Sequence, residues 1–101
     1  MHLVELFLPL TDNEGKRFKE SLFADIRKEL ADRFGGVTSF SRAPAHGVTE
    51  ETGRRVHDDM IVIEVMAESL DRDWWTVYRR NLEKRFHQDE ILIRSSVIER
   101  I

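Results

Sequence analysis

The sequence of 101 residues contains no cysteine. Disulfides and thiolate metal sites are therefore excluded, and the absence suits a reducing compartment. The sequence also lacks an apolar run of about 18 residues, the minimum for a transmembrane helix, and it has no leader-like pattern before the first strand-like segment. We therefore expect a cytoplasmic protein that makes no contact with a membrane.

An excess of positive charge is lacking as well. Lys and Arg number 16 against 19 Asp and Glu, which gives a net charge of −3, although charged residues make up 35% of the chain. A nucleic-acid surface needs clustered Lys and Arg, and RNA-binding modules also need aromatic residues on their central strands. The stretch from Met60 to Met66 has neither feature, and no motif for a cofactor occurs. We expect no nucleic-acid partner and no cofactor.

The stretch from Met60 to Ala67 is the most apolar segment, and its only charged residue is Glu64. Four of its eight residues, at positions 61, 62, 63 and 65, are β-branched, which favours the pleated conformation of a strand. A strand of this length and composition is typical of the middle of a sheet with layers on both sides. The remaining elements are expected to assemble around it.

Two helices are predicted. Thr11 and Glu14 match a capping box, and a stripe of apolar residues follows, so a helix is expected from about 14 to 33, ended by Gly35 and Gly36. Asp71 can cap a second helix at roughly 72–86. Strands are predicted at 2–8, 37–48, 54–67 and 90–98, with Pro44 placing the second strand at a sheet edge.

The order strand, helix, strand, strand, helix, strand predicts an α+β fold of the ferredoxin-like type, in which both helices cover one face of an antiparallel sheet. In that fold the strands at 2–8 and 57–67 are central. The length predicts a single domain, residues 1–101.

Several segments resemble a family of small bacterial proteins that is known only as a domain of unknown function. They are Phe34-Gly-Gly36 after the first helix, Gly47 before the hairpin turn, Tyr78-Arg-Arg80, Arg85-Phe-His-Gln88 and Ile91-Leu-Ile93. The resemblance implies a ferredoxin-like fold and no established activity. The sequence departs from the family at Val48, where an aromatic residue is expected.

The alternation of the strands predicts which side chains lie opposite the helices, on what we call the open face. Its predicted members are Leu3, Glu5, Phe7, Met60, Val62, Glu64, Met66, Leu92, Arg94 and Ser96. A contiguous apolar patch of this kind usually marks an interface. A homodimer through the open face, in the manner of a dimeric α/β barrel, is therefore expected.

Three charged residues, Glu5, Glu64 and Arg94, are predicted to lie across adjacent strands of the open face. One hypothesis is a pocket in which Glu5 or Glu64 acts as a general acid or base and Arg94 binds an anionic ligand. The alternative is a structural ion-pair network that fixes the register of a dimer. The spacing alone favours the structural alternative, because ion pairs are common without catalysis.

If the hairpin folds about Glu51-Thr-Gly53, His46 and His57 lie opposite each other. The sequence defines the pairing register of this hairpin only to within one residue. Together with Asp58 or Asp59 they could bind a metal, and His57 is also a catalytic candidate. A solvated hairpin with incidental histidines is the simpler interpretation, so we expect no metal.

Two hypotheses for function follow. The leading one is a non-catalytic homo-oligomeric binding or interaction module, because the open face is apolar and no nucleophile–base pair is present. The alternative is a small cofactor-independent enzyme of the dimeric α/β-barrel kind, which acts on an aromatic or anionic small molecule in a pocket between sheet and helices. A filled space beneath Glu64, with no cavity of roughly 300 Å³ or more, would count against the enzyme hypothesis.

Overall fold

The computed structural model of the chain describes residues 1–42 and 60–101. In chain order the elements are β1 (His2–Pro9), α1 (Glu20–Phe34), β2 (Thr38–Arg42), β3 (Met60–Ala67), α2 (Arg72–Arg85) and β4 (Ile93–Val97). The predicted order of strands and helices is confirmed.

The four strands form one antiparallel sheet in the order β2-β3-β1-β4. The two central strands are β1 and β3, and they pair along their whole length from His2 opposite Ala67 to Pro9 opposite Met60. The order of strands is that of a ferredoxin-like α+β fold, so the predicted fold class is confirmed. The edge position of β2 is confirmed as well.

Alternation along the central strands separates the two faces of the sheet as predicted. The side chains of Val4, Leu6, Leu8, Ile61, Ile63 and Val65 are buried in one core cluster with residues of both helices. The helices contribute Phe23, Ile26, Leu30, Trp75 and Leu82, and Phe86 and Ile91 follow α2 in the same cluster. Burial of this continuous apolar layer provides most of the driving force for folding.

The first helix begins later than predicted. The expected start at Glu14 is wrong, because Asp12 Oδ1 accepts hydrogen bonds from the backbone N–H groups of Glu14 and Lys16, each at 2.9 Å. Asp side chains stabilise turns in this way and compete with helix formation. Gly15, with φ +83°, completes the turn. The capping box therefore does not form, and α1 starts at Glu20.

The other predicted helix ends agree with the structure. Gly35 adopts the left-handed conformation, φ +83°, and its N–H donates to the carbonyl of Ala31 at 2.8 Å. Asp71 caps α2, because its carboxylate accepts a hydrogen bond from the N–H of Trp74 at 3.1 Å. Both ends thus satisfy backbone groups that a helix leaves without partners.

The last strand is shorter than the predicted 90–98, since regular pairing with β1 covers Ile93–Val97. The N–H of Phe7 still donates to the carbonyl of Leu92 at 3.0 Å, so the chain runs beside β1 before β4 begins. The predicted strand segments 43–48 and 54–59 lie outside the described residues. Within the described ranges, no helix has the length and apolar character needed to cross a membrane.

Candidate functional site

The register of the sheet aligns the three predicted charged residues in one row. Glu5 lies opposite Arg94 of β4 on one side and opposite Glu64 of β3 on the other. Because directly paired residues project to the same face, all three lie on the open face. The predicted order 94, 5, 64 is therefore observed.

Arg94 and Glu5 form a local ion pair. Arg94 Nε donates to Glu5 Oε1 at 3.0 Å, with the Glu5 side chain 18% exposed and that of Arg94 54% exposed. The Arg94 guanidinium carbon also lies 4.7 Å from the centroid of the Phe7 ring, within the range of a cation–π contact. Arg94 thus has both an anionic and an aromatic partner within its own chain.

Glu64 has a different environment from that pair. It lines a cleft of about 630 Å³ at the end of the sheet where α1 returns to β2, which we call the Glu64 cleft. The lining consists of Met1, Leu3, Phe34, Gly35, Gly36, Val37, Thr38, Glu64, Met66, Glu68 and Arg100. Neither Glu5 nor Arg94 belongs to it. The structure therefore divides the predicted trio into a surface ion pair and a carboxylate in a cleft.

The backbone explains how the Glu64 cleft is built. Glu64, Met66 and Glu68 alternate along and just beyond β3, so they project to the same side. Leu3 lies opposite Met66 on β1, and Thr38 lies opposite Glu64 on β2, which adds one side chain from each neighbouring strand. The wall at the end of the sheet comes from the tight turn that Gly35 permits after α1.

The cleft does not lie where the enzyme hypothesis placed its pocket, between sheet and helices. Buried core residues fill that layer, and the space between α2 and β4 measures about 160 Å³, too small for a typical ligand pocket. Of the lining residues, the predicted open face contained only Leu3, Glu64 and Met66; it missed Met1, Glu68, Arg100 and the segment 34–38, which includes the Gly35–Gly36 turn. Among those missed, Glu68 could have been predicted from the sequence, because it continues the alternation in which Glu64 and Met66, two residues apart, project to the same face.

The open face is less exposed than the alternation suggested. Met66 and Leu92 are 49% and 53% exposed, but Phe7 is only 8% exposed and Val62 is fully buried. The Arg94 guanidinium lies over Phe7 and accounts for part of this burial. The expectation of a contiguous exposed apolar face is corrected accordingly, since its centre is covered within the single chain.

The predicted histidine pair cannot be placed, because His46 and His57 lie outside the described residues. Within residues 1–42 and 60–101, no group of three or more His, Asp or Glu side chains is arranged to hold a metal ion. The metal and catalytic roles of the two histidines stay predictions.

A second polar cluster joins the two helices, away from the cleft. Arg85 donates from both terminal nitrogens to the Glu29 carboxylate, at 2.8 and 3.0 Å, and the Tyr78 hydroxyl donates to the same carboxylate at 2.9 Å. The Arg85 hydrogen bonds lower the pKa of Glu29. Burial, followed by the hydrogen bond to Glu29, raises the pKa of Tyr78. Trp74 stacks on the Tyr78 ring at 4.9 Å, so this cluster is a structural link between α1 and α2.

No protein-family model and no curated protein sequence matches the chain. Membership of the small bacterial family that the sequence resembles therefore stays a prediction. Among solved structures, a phage SAM lyase in complex with S-methyl-5′-thioadenosine is similar, with a TM-score of 0.64 and 13% sequence identity. The similarity covers 94% of this chain and 79% of that chain. At this identity it supports the ferredoxin-like α+β fold and nothing more specific.

Proposed function

We propose that this protein binds a small organic molecule in the Glu64 cleft. The observation that carries the proposal is the cleft itself, whose volume of about 630 Å³ falls within the usual range of ligand sites, roughly 300–1,000 Å³. Its lining is mixed, with apolar side chains beside the charged groups of Glu64, Glu68 and Arg100. Leu3, Val37 and Met66 would contact the apolar part of a ligand, and Glu64 would orient its polar part.

The similar solved structure suggests which ligands to test first. That protein is a SAM lyase and is bound to S-methyl-5′-thioadenosine, so an adenosine thioether is a reasonable first probe for this chain. It also gives weight to the enzyme hypothesis over a purely non-catalytic module. In a catalytic version of the proposal, the Glu64 carboxylate would accept a proton from the carbon adjacent to the sulfur-bound carbon of the aminobutyrate chain of SAM. A C=C bond would form between these two carbons, and the electron pair of the broken C–S bond would leave with the neutral thioether. Glu64 lines the cleft, whereas Glu5 is paired with Arg94.

Isothermal titration calorimetry with S-methyl-5′-thioadenosine tests the binding proposal. Thr38→Trp adds bulk on an exposed strand position inside the cleft, while Ser96→Trp makes the same change on an exposed strand position outside it. We expect binding to wild type and to the Ser96 variant and no binding to the Thr38 variant, with similar melting temperatures for all three. Equal binding by both variants, or no binding by wild type, would contradict the proposal.

Incubation with SAM tests the catalytic version separately. Chromatography would detect S-methyl-5′-thioadenosine if the chain cleaves SAM, and Glu64→Gln should abolish the product without unfolding the protein. If the wild type binds the thioether and forms no product, the protein is a binding module for this class of compound.

Self-association through the open face is a second candidate. The exposure of Met66 and Leu92 favours it, although burial of Phe7 and Val62 reduces the apolar area that a partner could cover. Leu92 lies outside the Glu64 cleft, so Leu92→Asp separates assembly from ligand binding. Light scattering should give twice the mass of the chain for the wild type and the monomer mass for the variant; a monomeric wild type would end this candidate.

A further inference from the structure

The strand β4 lies at one edge of the sheet and pairs with β1 on one side only. It is the last strand in the order β2-β3-β1-β4, so its other side faces away from the sheet. The carbonyl of Leu92 accepts a hydrogen bond from the N–H of Phe7 at 3.0 Å. At the other end of the regular register, the N–H of Ile98 donates to the carbonyl of Met1, also at 3.0 Å. Residues 92–98 therefore run beside β1 without interruption.

The direction of the backbone groups alternates along this segment. In an antiparallel pair, the N–H and C=O of one residue point to the same side, and those of the next residue point to the other. Leu92 and Ile98 point theirs towards β1, so Ile93, Ser95 and Val97 point theirs away from it. Among residues 1–42 and 60–101, no hydrogen bond from another strand or from a turn reaches this outer side.

The sequence of β4 does not protect the edge. Natural edge strands are usually protected from further pairing by lysine, proline or a bulge. The strand contains neither lysine nor proline, and its register with β1 contains no bulge. Its charged residue, Arg94, contacts Glu5 and Phe7 of β1 and thus lies over its own sheet. Val97 is 79% exposed. The edge is therefore open to another strand.

The outer side of β4 is complementary to itself in an antiparallel register. If Ser95 lies opposite the partner's Ser95 in a second copy, Ile93 lies opposite the partner's Val97, and Val97 lies opposite the partner's Ile93. Each of these three pairs can exchange two hydrogen bonds, because all the residues involved point their backbone groups outward. The apolar side chain of Val97, which its own chain leaves exposed, would then contact an isoleucine.

The flanking side chains match in the same register. Leu92, which is 53% exposed, lies opposite the partner's Ile98, and Glu90 lies opposite the partner's Arg100. Glu90 and Arg100 are on the same side of the sheet, because Glu90 lines a cleft with Leu92 and Arg100 lines the Glu64 cleft. Opposite charges in directly paired positions stabilise a sheet.

Neighbouring registers are less favourable. Pairing centred on Arg94 would place the two Arg94 side chains opposite each other, and like charges in that position are destabilising. Pairing centred on Ser96 would place Ile93 opposite the partner's Glu99 and Leu92 opposite the partner's Arg100. The side chains therefore favour Ser95 as the centre.

From these observations we infer that two copies of this chain associate through the outer edge of β4, antiparallel about Ser95. The two sheets join into one sheet of eight strands, four from each copy. This contact uses the strand edge, so it differs from self-association through the open face. It is also independent of the ligand proposed for the Glu64 cleft.

A matched pair of variants at the centre of the contact tests the pairing. Ser95→Pro removes an N–H that points away from β1, so the ladder with β1 keeps its hydrogen bonds while the two central hydrogen bonds between copies are lost. Ser95→Ala keeps the N–H and is the control. Sedimentation equilibrium at micromolar concentrations should show dimers for the wild type and Ser95→Ala. The dissociation constant should rise about tenfold or more for Ser95→Pro.

Charge reversal tests the register without changing the backbone. Glu90→Arg and Arg100→Glu should each weaken the dimer, because like charges then lie opposite each other. An equimolar mixture of these two variants should form heterodimers, since both contacts between the copies again join opposite charges. The effect should decrease at high salt.

The outcomes decide between the two contacts. A monomeric wild type overturns the inference. If Ser95→Pro dimerises as well as Ser95→Ala does, while Leu92→Asp is monomeric, the open face forms the contact and the edge does not. Should Ser95→Pro fail to fold in thermal melts, the mixing experiment decides alone, and the absence of heterodimers overturns the inference. Binding of S-methyl-5′-thioadenosine to the wild type is measured separately, so the proposed function stands or fails by itself.

Discussion

Substitution of two neighbouring residues on β3 should have very different effects on the stability of the protein. Ile63 is fully buried in the core cluster and lies opposite Leu6, whereas Glu64 projects to the other face and is only partly buried. Ile63→Ala removes buried methyl and methylene groups and leaves a cavity on a central strand. The expected cost in the free energy of unfolding is about 2–5 kcal/mol.

For a domain of this size, each kcal/mol corresponds to roughly 4–8 °C in melting temperature. A loss of about 3 kcal/mol from Ile63→Ala would therefore lower the melting temperature by about 12–24 °C. Glu64→Leu should change the free energy of unfolding by less than about 1 kcal/mol, since no recorded ion pair among the described residues is lost. It should alter ligand binding or assembly.

Thermal unfolding followed by circular dichroism measures both variants, and urea denaturation gives the free energies. Ile63→Val is the matched control, since it removes a single methyl group and should cost only about 0.5–1.5 kcal/mol. If Glu64→Leu unfolds the protein while Ile63→Ala has no effect, the assignment of the two faces of β3 is wrong. The Glu64 cleft and the open face would then be wrong as well.

Two further predictions concern local features. Gly35→Ala should lower the stability by about 1–2 kcal/mol through its backbone conformation alone, because φ is +83° and no atom lies within 4 Å of the added Cβ. Gly36→Ala, which also meets no atom within 4 Å and has no positive φ, should cost less; equal losses in urea denaturation would contradict the reasoning. The lowered pKa of Glu29 predicts that its contribution is present above the pKa of the unfolded carboxyl, ordinarily 4.5, and is lost as the pH falls through the folded-state pKa. The difference in stability between wild type and Glu29→Gln should therefore shrink on acidification, and a difference independent of pH would show that the link to Arg85 is not formed in solution.

The sequence was sufficient to predict the fold and the faces of its central strands. Alternation is a local property, so Ile63 and Glu64 could be assigned to opposite faces without knowledge of the partner strands. The capped start of α2 was equally local, since Asp71 precedes the apolar stripe directly. The start of α1 was mispredicted because two local patterns overlap, and the turn that Asp12 stabilises prevailed over the capping box.

The candidate site could be predicted only in part. Pairing in an antiparallel sheet placed Glu5, Glu64 and Arg94 in one row, and the structure agrees. Which of them pairs and which faces a cleft depends on tertiary neighbours. The end of α1 and Arg100 are distant in sequence from β3, so their arrival beside Glu64 has no signature in local patterns.

Amide chemical-shift mapping tests the central claim most directly. Isotopically labelled protein would be titrated with S-methyl-5′-thioadenosine, and the shifts of every assigned backbone amide would be followed. The account predicts that the largest changes lie at the residues of the Glu64 cleft, on Thr38, Glu64, Met66 and the Gly35–Gly36 turn. Saturable changes that leave these amides unaffected and cluster elsewhere in the protein would show that the ligand site is not this cleft.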